Sequence, residues 1–466
     1  MRSKSTPAAQ KPPKPFTPCA SLAALGARLR DLDLFDAIRQ HVQIPQKTVL
    51  DSPLDKLFDV FVALLAGAHG ICEINTRLRS DPVLQRSFGR ARCAEQSVAQ
   101  DTLDACTADC VTQIQFASDT ILARHARSIH HRFDRDLFVL DIDLTAKVCG
   151  KKAEGASLGY VANTPKGKRV YCRQLGRATA ATYHEIVADR LFPGNVVLAS
   201  VLEELVAAAE AALSLSPARR TCTLIRMDAG GGGVPQIEWL LERGYQLLVK
   251  AQMPTRAQDL AQTVEVWYTD PEHEGREVGW VGTAEPQYTK PVRLLALRSR
   301  DKHGQWAYGI LVATIEPGQA RRLAGELPKG LSAARREALS YARAYDKRGG
   351  AIEIENKQDK TGLGIVKRQK RRMAAARMVV ALDALVHNVL VWARGWLAKT
   401  APELGALGLL RWVRDVLHIS GEVELYKNGR VRRVRLNARA PRARALAEAF
   451  AAEYKRAGLR IGVSAE

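Results

Sequence analysis

The segment LFVLDIDLTAK, residues 137–147, constrains the fold more than any other part of the chain. Its Leu, Phe, Val and Ile residues are typical of a strand that is buried on both faces, yet it also contains Asp141 and Asp143. Ionised carboxylates are costly to bury without a partner, and residues two apart on a strand point to the same side of the sheet. The segment therefore predicts a core strand at which something is bound by one of these two carboxylates.

Four further strands are predicted in the same sheet. LGYVANTPKGKRVYCRQL, residues 158–175, predicts two strands around the turn residues NTPKGK, which could pair with the first strand as a meander. TCTLIRMDAGGGG, residues 221–233, predicts a fourth strand that ends at Asp228, and YQLLVKA predicts a fifth. Helices are predicted for ATYHEIVADRLF, SVLEELVAAAEAALSLS and PQIEWLLERG, which lie between these strands. The predicted order is three strands, helix, strand, helix, strand.

Composition shifts divide the chain into six regions. Residues 1–18 are basic and Pro-rich, which predicts a flexible tail, and residues 19–130 predict a helical domain. Within that domain, EQSVAQDTLDACTADCV could be the second helix of a DNA-reading pair, although the pattern favours a packed helical bundle. Residues 131–252 hold the first part of an α/β core and 253–332 a β-rich insertion; 333–400 return to helix and complete the core, and 401–466 form a basic C-terminal region.

The charge of the chain indicates the class of partner. Seventy Lys and Arg against 49 Asp and Glu give a formal net charge of +21, which for a soluble protein favours a polyanion, and nucleic acid first of all. The longest apolar stretches are too short or too interrupted by polar residues to predict a transmembrane helix, so no membrane partner is expected. The N-terminus lacks the apolar region of a secretion signal. We therefore expect a cytoplasmic protein whose eight cysteines are reduced.

Three carboxylates form the candidate site. Asp143 and Asp228 lie on two strands of one predicted sheet, and Glu353 follows in the helical return. Carboxylate oxygens are the ligands that Mg²⁺ prefers, and two such ions can activate a hydroxyl and stabilise a leaving oxygen in displacement at phosphorus. In a basic protein, such a site predicts an enzyme that cuts or joins nucleic acid.

Each carboxylate also has a simpler interpretation. Asp143 could cap a turn through Thr145, and Asp141, on the same face, could be the first ligand instead. Asp228 could be a loop aspartate beside a glycine run that cradles a phosphate. Glu353 could be an ordinary solvated helix charge. The functional interpretation depends on the set of three.

The residues around these carboxylates resemble the DDE transposases of bacterial insertion sequences. The resemblance covers residues 132–397 or so and rests on LDIDLT, RMDAGGG…IEWLLERGY and YDKRGGAIEIENKQDKTGLG…RRMAAARMVVALDALVHNVLVWARGWL. The last segment contains the Tyr, Arg, Glu, Lys signature of that family. Four residues separate the signature Arg348 from Glu353, whereas the family pattern has three. Six residues lie between Glu353 and the signature Lys360, as the pattern expects, and this spacing favours Glu353 over Glu355. The resemblance implies an α/β fold with an RNase H-like mixed sheet flanked by helices and interrupted by the β-rich insertion.

The resemblance also implies roles for individual residues. Asp143, Asp228 and Glu353 would bind two Mg²⁺ or Mn²⁺ ions. The signature residues Tyr345, Arg348 and Lys360 would contact DNA phosphates. Lys357 is also expected to contact DNA, because Lys357 and Lys360 share a helical face with Glu353. A Trp of the insertion could stack on a flipped base, for which Trp267, Trp280 and Trp306 are candidates, or could simply be buried in the core.

Two basic runs lie near this region. KRQKRRMAAAR, residues 367–377, has no acidic residue. Residues 427–444 contain eight Lys and Arg residues and also have no acidic residue. Either run could be a solvated face, yet both favour contacts to the DNA backbone. The residues expected to make these contacts are Lys367, Arg368, Arg371 and Arg372.

Together these features predict a DNA transposase that cuts at the ends of an insertion sequence and transfers the 3′-hydroxyl into target DNA. Its expected partners are the double-stranded terminal inverted repeats, target DNA and a second copy of the chain in a synaptic complex at the nucleoid. Two other functions are compatible with the sequence: an RNase H-like nuclease that does not join strands, and a DNA-binding protein whose carboxylates are inert.

Overall fold

A computed structural model of the chain describes residues 15–161, 169–253, 255–282, 288–301, 303–365, 367–454 and 458–464. Side chains at positions 350, 351, 354, 355 and 361 are not described. The predicted turn NTPKGK and most of the predicted N-terminal tail therefore lie outside the described residues, as does the side chain of Glu355.

The strands are, in chain order, β1 Phe16–Thr17, β2 Phe138–Val148, β3 Ser157–Gly159, β4 Val170–Ala180, β5 Glu185–Pro193, β6 Thr223–Arg226, β7 Gln246–Lys250, β8 Tyr268–Thr269, β9 Arg276–Trp280, β10 Arg293–Arg300, β11 Trp306–Ala313, β12 Gly421–Leu425, β13 Val431–Leu436 and β14 Arg460–Val463. The fold is a mixed α/β architecture.

The α-helices are α1 Ala20–Asp31, α2 Asp36–His41, α3 Pro53–Leu65, α4 Ile74–Arg77, α5 Pro82–Ser87, α6 Gln96–Asp104, α7 Ala108–His125, α8 Leu198–Leu213, α9 Pro217–Arg220, α10 Val234–Glu242, α11 Arg256–Gln262, α12 Pro317–Ala324, α13 Ala333–Arg348, α14 Ile354–Thr361, α15 Met373–Leu397, α16 Pro402–Gly405, α17 Leu409–Arg411 and α18 Ala443–Glu453. Short 3₁₀ turns and two π-helical turns, at Gly349–Glu353 and Trp412–Val416, complete the regular structure of the described residues.

The chain forms two compact units that differ from the six predicted regions. Unit 1 comprises residues 1–117, 361–368 and 389–466, and unit 2 comprises 118–360 and 369–388. The predicted helical domain and the predicted C-terminal region thus belong largely to one unit, because β1, at the end of the predicted tail, pairs with β12. The predicted insertion belongs to the same unit as the core.

Unit 2 is built on one large mixed sheet. Its described strands follow the order β3-β4-β2-β6-β7-β11-β10-β9-β8, with β5 also paired to β4. β2, β6 and β7 run parallel, β4 is antiparallel to both β2 and β5, and β11 is antiparallel to β7. The strands of the predicted insertion therefore extend the core sheet beyond β7.

One predicted helix of this region is wrong. The segment ATYHEIVADRLF, residues 181–192, forms a turn and then β5, which pairs along its length with β4. Its alternation between polar and apolar residues is short enough to fit either period, and Ile186 and Val187 are β-branched residues that suit a strand. The first three strands of the sheet are therefore β2, β4 and β5, with the three-residue β3 at the edge.

Helix α13 covers the centre of this sheet. Its buried residues Ala338, Leu339 and Tyr341 pack in one apolar cluster with residues of β2, β6, β7, β9, β10 and β11. The Ser332 hydroxyl accepts a hydrogen bond from the Arg335 backbone amide and caps the helix. The helix then continues through the π-helical turn into α14, so that one long helical segment crosses the sheet.

Unit 1 combines helices with a small sheet. Ser52 caps α3 by accepting a hydrogen bond from the Asp55 amide, at 3.1 Å, as its position before a Pro predicts. The described strands of the small sheet follow the order β1-β12-β13-β14. The predicted Asn-Gly hairpin is confirmed as β12 and β13, with Gly429 at a φ of +75° in the turn.

Helix α15 lies in the region that was predicted to return to helix and complete the core. Among the described residues it is the helix that is long and apolar enough to cross a membrane by length and composition, but 78% of its most apolar window is buried inside the protein. Within unit 2, Asn388 donates to and accepts from the backbone of Ile186 on β5, at 2.9 and 2.8 Å. These contacts are typical of a core helix.

Candidate active site

Strand pairing relates two of the three predicted carboxylates, because Asp143 lies on β2 and Asp228 follows the neighbouring strand β6 by two residues. β2 and β6 pair in parallel with partners such as Leu140 and Ile225, or Asp141 and Arg226, which are offset by 85 residues. Continuing the same offset two residues further aligns Asp143 with Asp228, since 228 − 143 is also 85. Side chains at matching positions of adjacent strands share a face of the sheet. The register therefore brings the start of the loop that contains Asp228 to the level of Asp143 along the sheet.

Asp143 lies in the middle of β2, and its side chain is 14% exposed. Burial raises the pKa of this carboxyl to about 6; the positive charge of Arg348 lowers the pKa, while the negative charges of Asp228 and Glu353 raise it. Because β2 continues to Val148, Asp143 does not cap a turn. Its environment is that of a buried carboxylate within reach of two others.

Glu353 reaches the site through the π-helical turn. The Arg348 guanidinium lies 2.8 Å from Glu353 Oε1 and 3.5 Å from Asp143 Oδ1. In a regular α-helix the facing residues are three or four apart, whereas a π-helical turn brings residues five apart together. The turn at Gly349–Glu353 thus accommodates the extra residue between the signature Arg and Glu, and Glu353 comes to lie beside Arg348.

Two more signature residues lie in the same region. Tyr345 is partly buried below the Arg348 guanidinium, whose carbon is 5.9 Å from the ring centroid. Burial raises the pKa of Tyr345 to about 12, so the phenol is neutral and can donate a hydrogen bond. Lys360 donates to the hydroxyl of Thr145, two residues beyond Asp143 on β2, and burial lowers the pKa of Lys360.

Asp141 has a different role from Asp143. It is fully buried, and its two carboxylate oxygens accept hydrogen bonds from Arg226 at 2.6 and 2.7 Å. Arg226 also donates to the carbonyl of Ala344 in α13. A carboxylate that is already neutralised by a bidentate arginine is a poor metal ligand. The geometry therefore favours Asp143 over Asp141 as the first ligand.

Asp228 follows β6 in a loop. Its Oδ1 accepts a hydrogen bond from the backbone amide of Gly230 at 2.9 Å, which is the arrangement of a turn aspartate. Its charge nevertheless raises the pKa of Asp143, Tyr345 and Arg348. Asp228 therefore orders the loop and contributes negative charge to the site at the same time.

The donor set fits a hard divalent cation in its chemistry. Asp143, Asp228 and Glu353 supply oxygens alone, as Mg²⁺ and Mn²⁺ prefer, and their mutual repulsion gives a cation a favourable place. Among the residues that the structure describes, however, no three Asp, Glu, His or Cys side chains stand close enough to form a ready-made metal cluster. Arg348 instead lies between Asp143 and Glu353, at 3.5 and 2.8 Å, and offsets part of their negative charge.

The side chain that contacts Asp143 most closely among the described residues was not predicted from the sequence. Asn356 Nδ2 donates to Asp143 Oδ2 at 2.9 Å, and Asn356 Oδ1 accepts from buried Arg177 at 3.1 Å. Arg177 in turn pairs with Asp359, which contacts His387. The available signal was the position of Asn356, three residues after Glu353 and so on an adjacent face of one helix.

The lysines and arginines predicted to contact DNA phosphates differ in exposure. Those with exposed side chains are Lys357, Lys367, Arg371 and Arg372. Arg368 differs, since it is 2% exposed and donates to the carbonyls of Ala68 and Leu363 within unit 1. Its guanidinium is used inside the protein, so the expectation of a phosphate contact is corrected for this residue.

The second basic run is partly neutralised by its own hairpin. Arg433 pairs with Glu424 at 3.3 Å, and Arg435 pairs with Glu422 and Glu424 at 3.0 Å. The acidic residues lie on β12, outside the run itself, and cross-strand pairing brings them opposite the arginines. Two of the eight basic residues of the run are therefore paired within the small sheet.

The three candidate tryptophans each have an arginine stacked on a ring face. Arg298 lies 4.0 Å from the ring centroid of Trp267 and 4.5 Å from that of Trp306. Arg293 lies 3.9 Å from the centroid of Trp280. All three rings are partly buried, and these cation–π contacts stabilise the extended part of the sheet.

Comparison with known proteins finds similarity at the level of structure. No protein-family model matches the sequence, and no curated protein matches it. Among solved structures, the fold is similar to a piggyBac transposase in a synaptic complex with hairpin DNA, determined by cryo-EM. The TM-score is 0.47 at 14% sequence identity, over 88% of this chain and 82% of that chain. Similarity at this level establishes no family, and the functional argument rests on the geometry of the site.

Proposed function

We propose that the chain is a DDE-type DNA transposase of a bacterial insertion sequence, and that it cuts DNA at the element's ends and joins them to target DNA. The observation that carries the proposal is that Arg348 contacts both Asp143 and Glu353, while the negative charge of Asp228 raises the pKa of both Asp143 and Arg348. Asp143 lies on β2, Asp228 follows the parallel neighbour β6 by two residues, and Glu353 ends a π-helical turn. π-Helical turns occur frequently at functional sites.

The arrangement of unit 2 supports an RNase H-like core. The strand order β5-β4-β2-β6-β7 combines an antiparallel meander with two parallel strands that follow through helices. This is the strand, helix, strand, helix, strand order of the sequence analysis, with β5 in place of a predicted helix.

In the proposed mechanism the protein positions DNA phosphates beside the three carboxylates. Bound Mg²⁺ or Mn²⁺ would supply activation of the attacking hydroxyl and stabilisation of the leaving oxygen. The Tyr345 phenol stays neutral and donates to a phosphate oxygen, and Lys360 and Arg348 provide positive charge beside it. Arg348 also keeps Asp143 and Glu353 compensated while DNA is absent.

The remaining partners follow from the chemistry of joining. Both ends of an element must be held together for paired cutting and joining, so we propose that a homodimer or larger synaptic complex binds double-stranded terminal repeats and target DNA. The net charge of +21 supports tight, salt-dependent binding to DNA. The proposed site of action is the bacterial cytoplasm, at the nucleoid.

The test is cleavage and joining of labelled DNA that carries the element's flanking repeats, with Mg²⁺ or with EDTA. Asp143→Asn, Asp228→Asn and Glu353→Gln should each abolish metal-dependent nicking and joining while DNA binding remains. Nicked DNA without joined product would favour a nuclease that does not transfer strands. DNA that is bound and never cut would favour a DNA-binding protein with inert carboxylates.

A further inference from the structure

Asn356 links the candidate metal ligand Asp143 to a buried network. Its side chain is held on both sides, by Asp143 Oδ2 at 2.9 Å and by the Arg177 guanidinium at 3.1 Å. A carboxylate accepts hydrogen bonds and a guanidinium donates them. The amide can therefore take one orientation here, with its NH₂ group toward Asp143 and its oxygen toward Arg177.

The far side of this link is firmly anchored. Arg177, on β4, is 1% exposed and is the cross-strand partner of Asp143. It forms ion pairs with Asp189 at 3.3 Å and with Asp359 at 2.5 Å. His387 Nδ1 lies 2.9 Å from Asp359, and its Nε2 lies 3.0 Å from the carbonyl of His184. The anchor therefore joins β4, β5, α14 and α15.

The hydrogen bond from Asn356 occupies one carboxylate oxygen of Asp143 and leaves the other directed toward Arg348 and the candidate metal site. Oδ2 is engaged by Asn356, while Oδ1 is directed toward Arg348 at 3.5 Å. A carboxylate on a strand can otherwise rotate about its last torsion, which is broad and roughly two-fold. The hydrogen bond from Asn356 removes this freedom, and the 6% exposure of Asn356 keeps competing water away.

We propose that Asn356 is a positioning residue that fixes the carboxylate of Asp143 for divalent-cation binding, with Arg177 as its anchor. The proposal rests on the proposed function, because it assigns Asp143 as a ligand. Glu353, directly before α14, then contributes one carboxylate, and Asn356, three residues later in α14, orients another. Hydrogen-bond partners of metal-binding carboxylates commonly change metal affinity or activity by about 10–100-fold when they are removed.

The experiment measures Mn²⁺ binding to the full chain by electron paramagnetic resonance, without DNA, for Asn356→Ala and for a matched control. Asn388→Ala removes the same atoms from a second buried asparagine, 3% exposed, whose amide bonds to the backbone of Ile186. Both substitutions should lower the thermal unfolding temperature. Asn356→Ala should weaken Mn²⁺ binding by about 10–100-fold, whereas Asn388→Ala should leave the affinity of the folded protein unchanged.

Mn²⁺ binding by wild type and by Asp143→Asn distinguishes a failure of the proposed function from a failure of the positioning role of Asn356. If wild type binds no Mn²⁺, or Asp143→Asn binds it as tightly as wild type, the proposed function fails. If Asp143→Asn loses Mn²⁺ while folded Asn356→Ala binds as wild type does, the positioning role alone is overturned. Should Asn356→Ala not fold, Asn356→Ser, which keeps a small polar group, undergoes the same measurement with the same two outcomes.

Discussion

Replacing Asp143 with Asn should stabilise the metal-free protein at neutral pH. Burial, together with the charges of Asp228 and Glu353, raises the pKa of Asp143 to about 6 from 3.8, even though Arg348 lowers it. A carboxyl whose pKa is higher in the folded state destabilises that state whenever it is ionised. An amide has almost the same shape, remains neutral and can still accept the hydrogen bond from Asn356.

The size of the effect follows from the shift. A difference of about two pH units, at about 1.4 kcal/mol per unit, corresponds to about 3 kcal/mol of folding free energy. The penalty is absent below the unfolded pKa, where both states are protonated, grows as pH rises between the two pKa values, and is complete above the folded pKa. Asp143→Asn should therefore exceed wild type in stability above about pH 6 and match it near pH 3.8.

The assay is thermal unfolding in EDTA between pH 4 and pH 8, followed by titration with Mn²⁺. Asp119→Asn is the matched control, because burial also raises the pKa of Asp119 to about 6, and Arg190, which lowers it, is its charged neighbour. Both variants should gain stability over wild type as pH rises. Mn²⁺ should stabilise wild type and Asp119→Asn but leave Asp143→Asn unchanged, since binding stabilises only a folded state that has the site. A stability difference for Asp143→Asn that does not change with pH, or has the opposite sign, would refute the reasoning.

Three further expectations concern other parts of the chain. Arg226→Met should lower stability by about 3–5 kcal/mol because it leaves buried Asp141 unpaired, and adding Asp141→Leu should recover most of the loss; urea denaturation measures both. Deleting Gly350 should convert the π-helical turn into regular helix with the signature spacing, and the variant should still cleave DNA. Deleting Lys357 should instead rotate the rest of α14, and this variant should no longer cleave DNA. Arg371→Ala should reduce the salt dependence of DNA binding by about one unit of slope if this side chain contacts one phosphate, as filter binding at several salt concentrations would measure; an unchanged slope would exclude the contact.

Local sequence signals predict much of the core sheet. β2, β6, β7 and α10 correspond to predicted elements because apolar runs are bounded there by Pro235, the glycines 230–233 and Gly244, whose φ is +90°. The hairpin of β12 and β13 is likewise set by its turn residues. β5 was mistaken for a helix because its short pattern fits both periods, and only pairing with β4 decides between them.

The candidate site needed structure for different reasons. The predicted strands and the signature identify the three carboxylates. The sequence alone does not distinguish Asp141 from Asp143, and the ion pair between Asp141 and Arg226 does. The π-helical turn depends on packing along the helical segment rather than on a local motif. Asn356 was missed because its partners, Asp143 and Arg177, lie on two antiparallel strands whose register the sequence does not define.

The most direct test of the account is the location of Mn²⁺ by anomalous X-ray scattering in crystals of the protein grown with the ion. The account predicts anomalous peaks in contact with carboxylate oxygens of Asp143, Asp228 and Glu353, with Arg348 moved away from its position between Asp143 and Glu353. Crystals in which Arg348 still joins Asp143 to Glu353, with Mn²⁺ absent from these three side chains at saturating concentration, would contradict it.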